Sequence, residues 1–345
     1  MRVVFAGTPT PAATALQVLL DSHHDVVAVL TRPDAPRGRG RRLYPSPVAE
    51  LAEAHDVPVI KTSTLKDESV IDSLAEYKPD CIPVVAYGAL VPPNVLTLPR
   101  WGWVNLHFSL LPRWRGAAPV QRAIEAGDRE TGVTVFRIEE GLDTGDIFAS
   151  VPADIANDDT AGSLMERLTD QGAQVLVDTL DAIENGTATP TPQSDDGATY
   201  AKKISTEDTR IDWNKPASTV DQAIRAVTPD PGAWTLLEDD RIRVGAVRPI
   251  IDPRDPIEKS LSLAPREIAW KKNRVWVGTA DYPVQLGSVQ APGKKMMEAG
   301  AWVRGAHLAN GLDNDKSTRN KSAQNNPAER DESYDDTPHE GTRFQ

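Results

Sequence analysis

Apolar residues fall in two rhythms along the first half of this chain. Short unbroken runs recur at Val3 to Gly7, Asp25 to Leu30, Val57 to Ile60, Cys81 to Ala86, Gly102 to His107, Thr131 to Ile138 and Ile147 to Ile155. Between them lie stretches of helical character, from Pro9 to Leu20, Leu65 to Tyr77, Ala117 to Ala126 and Thr160 to Asn185. Uninterrupted strands alternating with helices predict an α/β fold, a doubly wound and mostly parallel sheet covered on both faces, over residues 1–185.

The rhythm then changes. Asn185 to Asp196 is rich in Gly, Thr, Pro, Ser and Asp, so 186–204 reads as a linker. Beyond it a helix over Ala217 to Ala226 precedes short β-like runs at Ala233 to Leu237, Arg241 to Arg248, Arg274 to Gly278 and Pro283 to Val289. Such spacing predicts a small β-barrel over 205–310. From Gly311 to Gln345 there are hardly any apolar residues, which predicts a disordered polar tail.

Composition narrows the class. At 345 residues two domains are expected, and 39% hydrophobic residues are enough for real cores. No apolar run is long enough to cross a bilayer, and Met-Arg-Val-Val-Phe lacks a signal peptide's layout, so a cytoplasmic location is expected without a membrane partner. The single cysteine, Cys81, sits in an apolar run and excludes an internal disulfide or a multi-cysteine metal site. His23 and His24, adjacent in a surface turn, are expected to point apart and make a poor metal site.

The net charge of -12 argues against a protein wrapped generally in nucleic acid. The charge is uneven, however. Residues 1–204 carry 18 basic against 28 acidic side chains, whereas 205–310 carry 15 against 14, so a local basic surface is allowed there. Lys271, Lys272, Arg274, Lys294 and Lys295 lie on or beside the barrel's strands and suit either a nucleic-acid platform or a solvated face. Thr31 to Pro47 holds five arginines with only Asp34 as a local carboxylate. Its prolines and glycines argue against regular structure for much of it, leaving a solvated loop or a basic finger for phosphate or RNA.

Candidate chemistry concentrates in Asn105-Leu-His-Phe-Ser-Leu-Leu-Pro-Arg-Trp-Arg-Gly116 and in Gly141-Leu-Asp-Thr-Gly-Asp146. Alternation on a strand places Trp103, Asn105 and His107 on one face. An amide can donate to a developing oxyanion, and an imidazole can carry a proton near neutral pH. Asn-x-His alone fits a satisfied core histidine equally well; the stretch after it and Asp143 favour a site. Gly7-Thr8-Pro9 is neither a Walker loop nor a dinucleotide fingerprint.

Taken together, these stretches resemble the methionyl-tRNA formyltransferase family from Met1 to about Arg304. Phe5-Ala-Gly-Thr-Pro9, Gly38-Arg-Gly40, Pro45-Ser-Pro-Val48, Val85-Ala-Tyr-Gly88, Asn105-Leu-His107, Ser109-Leu-Leu-Pro112, Arg115-Gly-Ala-Ala-Pro119, Gly141-Leu-Asp-Thr-Gly145 and Gln290-Ala-Pro-Gly-Lys-Lys295 carry the resemblance. It implies an OB-like C-terminal domain. It also implies formyl transfer from 10-formyltetrahydrofolate to the amino group of methionyl-initiator tRNA, a reaction that needs no metal, and none is expected because the sequence offers no cluster for one. Residue by residue it implies Asn105, His107 and Asp143 as the catalytic trio. Ser109, Leu110, Leu111 and Pro112 would be the folate-binding stretch, and Arg39, Arg41 and Arg42 the tRNA-binding loop. No protein partner is implied. Phe108 departs from the pattern, which has a small residue there, and should reshape the pocket beside His107. The rival readings are a formyltransferase for a sugar nucleotide or small amine, a 10-formyltetrahydrofolate hydrolase, and a noncatalytic RNA-binding protein.

Overall fold

In a computed structural model of the protein, which describes residues 1–37, 40, 42–306 and 342–345, the chain divides into two compact units, Met1–Ile204 and Ser205–Gln345. The apolar runs of the first unit build one seven-stranded sheet. Its elements, in chain order, are β1 (Arg2–Gly7), α1 (Thr10–Leu20), β2 (Asp25–Thr31), β3 (Ala35–Arg37), β4 (Arg42–Tyr44), α2 (Pro47–Ala54), β5 (Val59–Lys61), α3 (Glu68–Glu76), β6 (Ile82–Val85), α4 (Pro93–Leu96), β7 (Trp103–His107), β8 (Arg115–Gly116), α5 (Pro119–Glu125), β9 (Glu130–Arg137), β10 (Ile147–Asp154), α6 (Ala161–Glu184) and β11 (Tyr200–Ala201).

The sheet order is β10-β9-β7-β6-β1-β2-β5, with β5, β2, β1, β6 and β7 parallel and β9 antiparallel to both its neighbours. The order reverses at β1, which has β2 on one side and β6 on the other. One face carries a buried cluster that includes Val4, Ala6, Leu30, Ile82, Val84, Tyr87 and Trp103. The opposite face is covered in part by α6. A Cβ added at Gly172 would stand 2.9 Å from Leu106 Cδ1, so the helix backbone lies directly on the sheet. Trp103 and Leu106 thus face opposite ways, as alternation along β7 requires, and Asn105 and His107 share the Trp103 face.

Three parts of this unit differ from the sequence expectation. The arginine-rich stretch forms a short hairpin, with Ala35, Pro36 and Arg37 opposite Tyr44, Leu43 and Arg42. Of its four prolines only Pro36 lies within the paired strands, and the others flank them. The presumed linker packs on the first unit. Thr191 pairs with Ile147, and β11 pairs with β8. The adjacent histidines do not point apart: their rings lie 4.4 Å centre to centre, and His24 is buried. Packing of the turn against the end of α6 overrides the free-chain geometry.

The second unit contains α7 (Ala217–Ala226), β12 (Ala233–Leu237), β13 (Asp240–Val244), β14 (Val247–Pro249), α8 (Pro256–Lys259), β15 (Ile268–Lys271), β16 (Arg274–Val277), β17 (Val284–Leu286), β18 (Ser288–Gln290), β19 (Met297–Glu298) and α9 (Ala299–Gly305). It has two four-stranded sheets, β12-β13-β18-β19 and β14-β17-β16-β15, and every pairing is antiparallel where register is defined. The runs Arg241 to Arg248 and Pro283 to Val289 each divide between the two sheets. The second crossing is at Gly287, whose amide donates to the Ala246 carbonyl at 2.9 Å; an added Cβ would sit 2.7 Å from that oxygen. At the chain's end, Phe344 is buried and stacks on Trp213 and Trp302, with ring centres 5.6 and 6.3 Å away. The expected disordered tail therefore ends in an ordered piece, because one aromatic ring has a prepared apolar seat; 307–341 lies outside the described residues.

Candidate active site

β7 is flanked by β6 and β9, with Val84 and Phe136 opposite Asn105 and Thr134 opposite His107. His107 is only 5% exposed and lies edge-on to Phe136. Its Nε2 lies 2.9 Å from the Trp114 carbonyl. A carbonyl only accepts, so Nε2 carries the proton and the neutral ring leaves Nδ1 unprotonated. Burial pushes the imidazole pKa below its ordinary value. The charge of Asp143 and the Trp114 hydrogen bond oppose that shift without overcoming it.

Asp143 reaches this ring by an unexpected route. β9 runs antiparallel to β7, and Ile138 donates to the Trp103 carbonyl, so the β9–β10 loop leaves the sheet at the far end of β7 from His107. It nevertheless returns Asp143 Oδ2 to 3.9 Å from His107 Nδ1. Asp143 is in the left-handed backbone region at φ 53, which Asp tolerates. The same Oδ2 accepts the Gly116 amide at 2.7 Å. Nδ1 and Oδ2 therefore face each other as two acceptors, too far apart for a direct hydrogen bond. Asn105 is half-buried on the same strand face.

The segment after β7 holds this geometry. Trp114 has φ 64, a strained region for a bulky residue that costs about 1–3 kcal/mol. Its amide donates to Thr199 Oγ1 at 2.8 Å, its indole donates to Asp128 at 2.8 Å, and Arg113 stacks on its ring while forking onto Asp128. Gly116 has φ 123, and an added Cβ would meet the Ala201 carbonyl oxygen at 2.7 Å. Buried Arg115 donates to Gln193 Oε1 at 3.0 Å and to Asp195 at 3.2 Å. Gln193 Nε2 in turn donates to the Asp143 and Gly145 carbonyls at 2.9 and 2.7 Å.

The other sequence-nominated residues fare differently. The Ser109 hydroxyl donates to the Arg113 carbonyl at 2.6 Å, and Thr134 Oγ1 bonds the Ser109 carbonyl at 2.7 Å. Ser109 and Leu111 are buried, while Leu110 and Pro112 are half-buried, so this stretch presents a wall more than free side chains. Phe108 is also buried. Arg42 is exposed on β4; Arg39 and Arg41 lie outside the described residues. In the second unit Lys272, Lys294 and Lys295 are exposed, whereas Arg274 is ion-paired with Asp255. A cleft of about 700 Å³ beside the start of β7 is lined by Leu96, Arg137, Glu139 and Phe148, among others, but not by Asn105 or His107. Sequence reasoning missed Gln193 and Thr199, which sit in a polar stretch with no periodic signal. Arg115 was visible only as part of a motif.

Residues 1–180 match the formyl transferase family model, and residues 203–307 match its C-terminal domain model. The chain belongs to the formyl transferase family. Among its relatives, the methionyl-tRNA formyltransferase of Corynebacterium efficiens is 54% identical over 89% of this chain and 98% of its own. That of Corynebacterium aurimucosum is 53% identical over 88% and 94%. Solved structures share the fold at lower identity. HypX of Aquifex aeolicus in complex with tetrahydrofolic acid aligns with TM-score 0.62 at 20% identity, over 88% of this chain and 47% of that one. The chain thus spans about half the length of the HypX chains it matches. Methionyl-tRNA formyltransferase from Clostridium thermocellum aligns with TM-score 0.53 at 19% identity, over 72% of this chain and 92% of that one. Among the described residues, no helix is long and apolar enough to cross a membrane.

Proposed function

We propose that this chain transfers a formyl group from 10-formyltetrahydrofolate to the amino group of methionyl-initiator tRNA, in the cytoplasm. The observation that carries the reading is the facing pair of acceptors, His107 Nδ1 and Asp143 Oδ2 at 3.9 Å, beside an amide on the same strand face. The curated relatives at about half identity, named for methionyl-tRNA, favour that acceptor over the sugar of the more distant sugar formyltransferase, which is 17% identical. The tetrahydrofolic acid bound to HypX supports a folate donor.

The chain's own residues fit a folate on an independent ground. Leu110 and Pro112, half-buried in the segment that follows His107, offer apolar surface on the way out of β7. Partly open apolar surface of this kind suits the face of a heteroaromatic ring. When bound, the folate supplies a formyl carbon attached to a nitrogen that can leave as an amine.

Amine attack on a formyl carbonyl moves negative charge onto its oxygen and leaves a surplus proton on the attacking nitrogen. Asn105 donates its amide N–H to that oxygen. His107 receives the surplus proton at Nδ1, its Nε2–H remaining on the Trp114 carbonyl, and returns it to the departing nitrogen. Asp143 stabilises the imidazolium formed in between. Ser109 to Pro112 wall the pocket, and Arg39, Arg41 and Arg42 engage RNA phosphates. The deciding experiment offers labelled 10-formyltetrahydrofolate with methionyl-initiator tRNA, methionyl-elongator tRNA or no tRNA. Label in the initiator alone is expected. Folate turnover without labelled tRNA would reassign the acceptor, and no turnover at all would remove the enzyme reading.

A further inference from the structure

Away from the β7 site, the turn before β2 meets the last turn of α6. His23 Nε2 lies 3.3 Å from Asp181 Oδ1, and His24 Nε2 lies 2.9 Å from the same oxygen. Glu184 Oε2 is 3.7 Å from His23 Nε2 and 3.7 Å from His24 Nδ1. One ligand atom from each of the four residues falls within 4.8 Å of the others. Three features separate this cluster from a solvated ion pair. The His24 side chain has no solvent exposure. Its Nε2 and Asp181 Oδ1, although 2.9 Å apart, make no hydrogen bond with each other or with any other group. Both carboxylates sit at the C-terminal end of a 24-residue helix, where the backbone dipole disfavours negative charge and favours a cation.

We infer that His23, His24 and Asp181, supported by Glu184, form a binding site for a first-row divalent cation of the zinc or nickel type. Zinc bonds of roughly 2.0–2.1 Å in a tetrahedron put ligand atoms about 3.3 Å apart, close to the separations from Asp181 Oδ1. Two imidazoles select such metals over magnesium or calcium, which take oxygen ligands. His24 Nδ1 now lies 3.2 Å from the Met1 ammonium, which donates to it; a metal on His24 Nε2 would put the ring proton on Nδ1, turn the ammonium wholly to Glu184 Oε1, and leave Glu184 Oε2, 3.7 Å away, as the acceptor of that proton. Glu184 Oε1 keeps the Met1 ammonium, now 2.8 Å away. A carboxylate behind a metal-bound histidine is a common support for its tautomer and orientation. The site would pin the β1–β2 side of the sheet to α6 and leave a coordination position for water.

The test is calorimetric titration of the full chain, stripped with chelator, with zinc chloride and separately with nickel chloride. H23Q and D181N are compared with wild type and with H55Q, whose imidazole is exposed and outside the cluster. One equivalent is expected to bind wild type and H55Q, and both cluster variants should bind at least ~10-fold more weakly. Zinc should raise the melting temperature of wild type and not of H23Q. Circular dichroism establishes that the variants fold. Absence of binding to wild type, or equal affinity in all four proteins, would overturn the assignment and leave a proton-dependent ion-pair cluster.

Discussion

The Trp114 carbonyl accepts the Nε2 proton of His107 at 2.9 Å, and this one bond decides that Nδ1 is the nitrogen left to work. Two residues later the Gly116 amide holds Asp143 at 2.7 Å. A single short segment therefore orients both members of the facing pair.

His107 should set the acid limb of activity. Its folded-state pKa lies below the ordinary 6.5, so between the two values the unfolded chain binds a proton that the folded chain refuses. The stability this group supports is complete above about pH 6.5 and declines as pH falls below it. Turnover needs neutral Nδ1, so its acid limb should also lie below 6.5. Asp143→Asn removes the charge that raises the pKa; turnover should drop and the limb should move to still lower pH. Profiles of kcat/KM for the two proteins check the sign, and an upward move would contradict the assignment.

Asn105→Ala removes the proposed donor to the oxyanion. Turnover should fall by on the order of 10²–10³, with folate affinity changed far less. Single-turnover rates and a folate titration separate the two, and near-normal turnover would sink the role.

Gly116→Ala tests the segment. The added methyl would enter a 2.7 Å gap to the Ala201 carbonyl oxygen at a φ of 123. Separation of β8 from β11 and displacement of the Asp143-binding amide are expected, with turnover lost and the melting temperature lowered. Unchanged turnover would show that Asp143 holds its place without Gly116.

Replacing Arg39, Arg41 and Arg42 together by Ala should weaken tRNA binding and flatten its dependence on salt, while folate binding survives. Equal loss of both affinities would make the hairpin region structural. Binding isotherms over a range of potassium chloride concentrations give the slope.

Phe344→Ala should destabilise the second unit by about 3–5 kcal/mol, the usual cost of emptying a buried aromatic site. Denaturant unfolding followed by tryptophan fluorescence is suited to it, because the ring stacks on Trp213 and Trp302.

What the sequence disclosed depended on how local each signal was. The β7 strand and α7 were legible because each is one apolar pattern, and α7 runs over Ala217–Ala226 as expected. Asn105 and His107 were legible because strand alternation sets their common face. The helix at Pro47–Ala54 went unread although its cues were present: Ser46 caps the Ala49 amide at 3.0 Å, followed by proline at the first helical position. Gln193 meets the Asp143 carbonyl across 50 residues of chain, and no spacing rule reaches that far. The buried seat of His24 likewise depends on α6, which begins more than a hundred residues later.

The seat of Phe344 makes residues 342–345 a clasp on the second unit. Gln345 donates to the Leu236 carbonyl at 2.7 Å, and Phe344 and Arg343 bridge Leu237 and Glu267, so backbone pairing as well as a buried ring holds these residues to the second unit. The ring works like a bound ligand that the chain itself supplies: its seat between Trp213 and Trp302 is formed by residues that come far earlier in the sequence. A short peptide carrying that phenylalanine, added to a chain that lacks it, should therefore occupy the same seat.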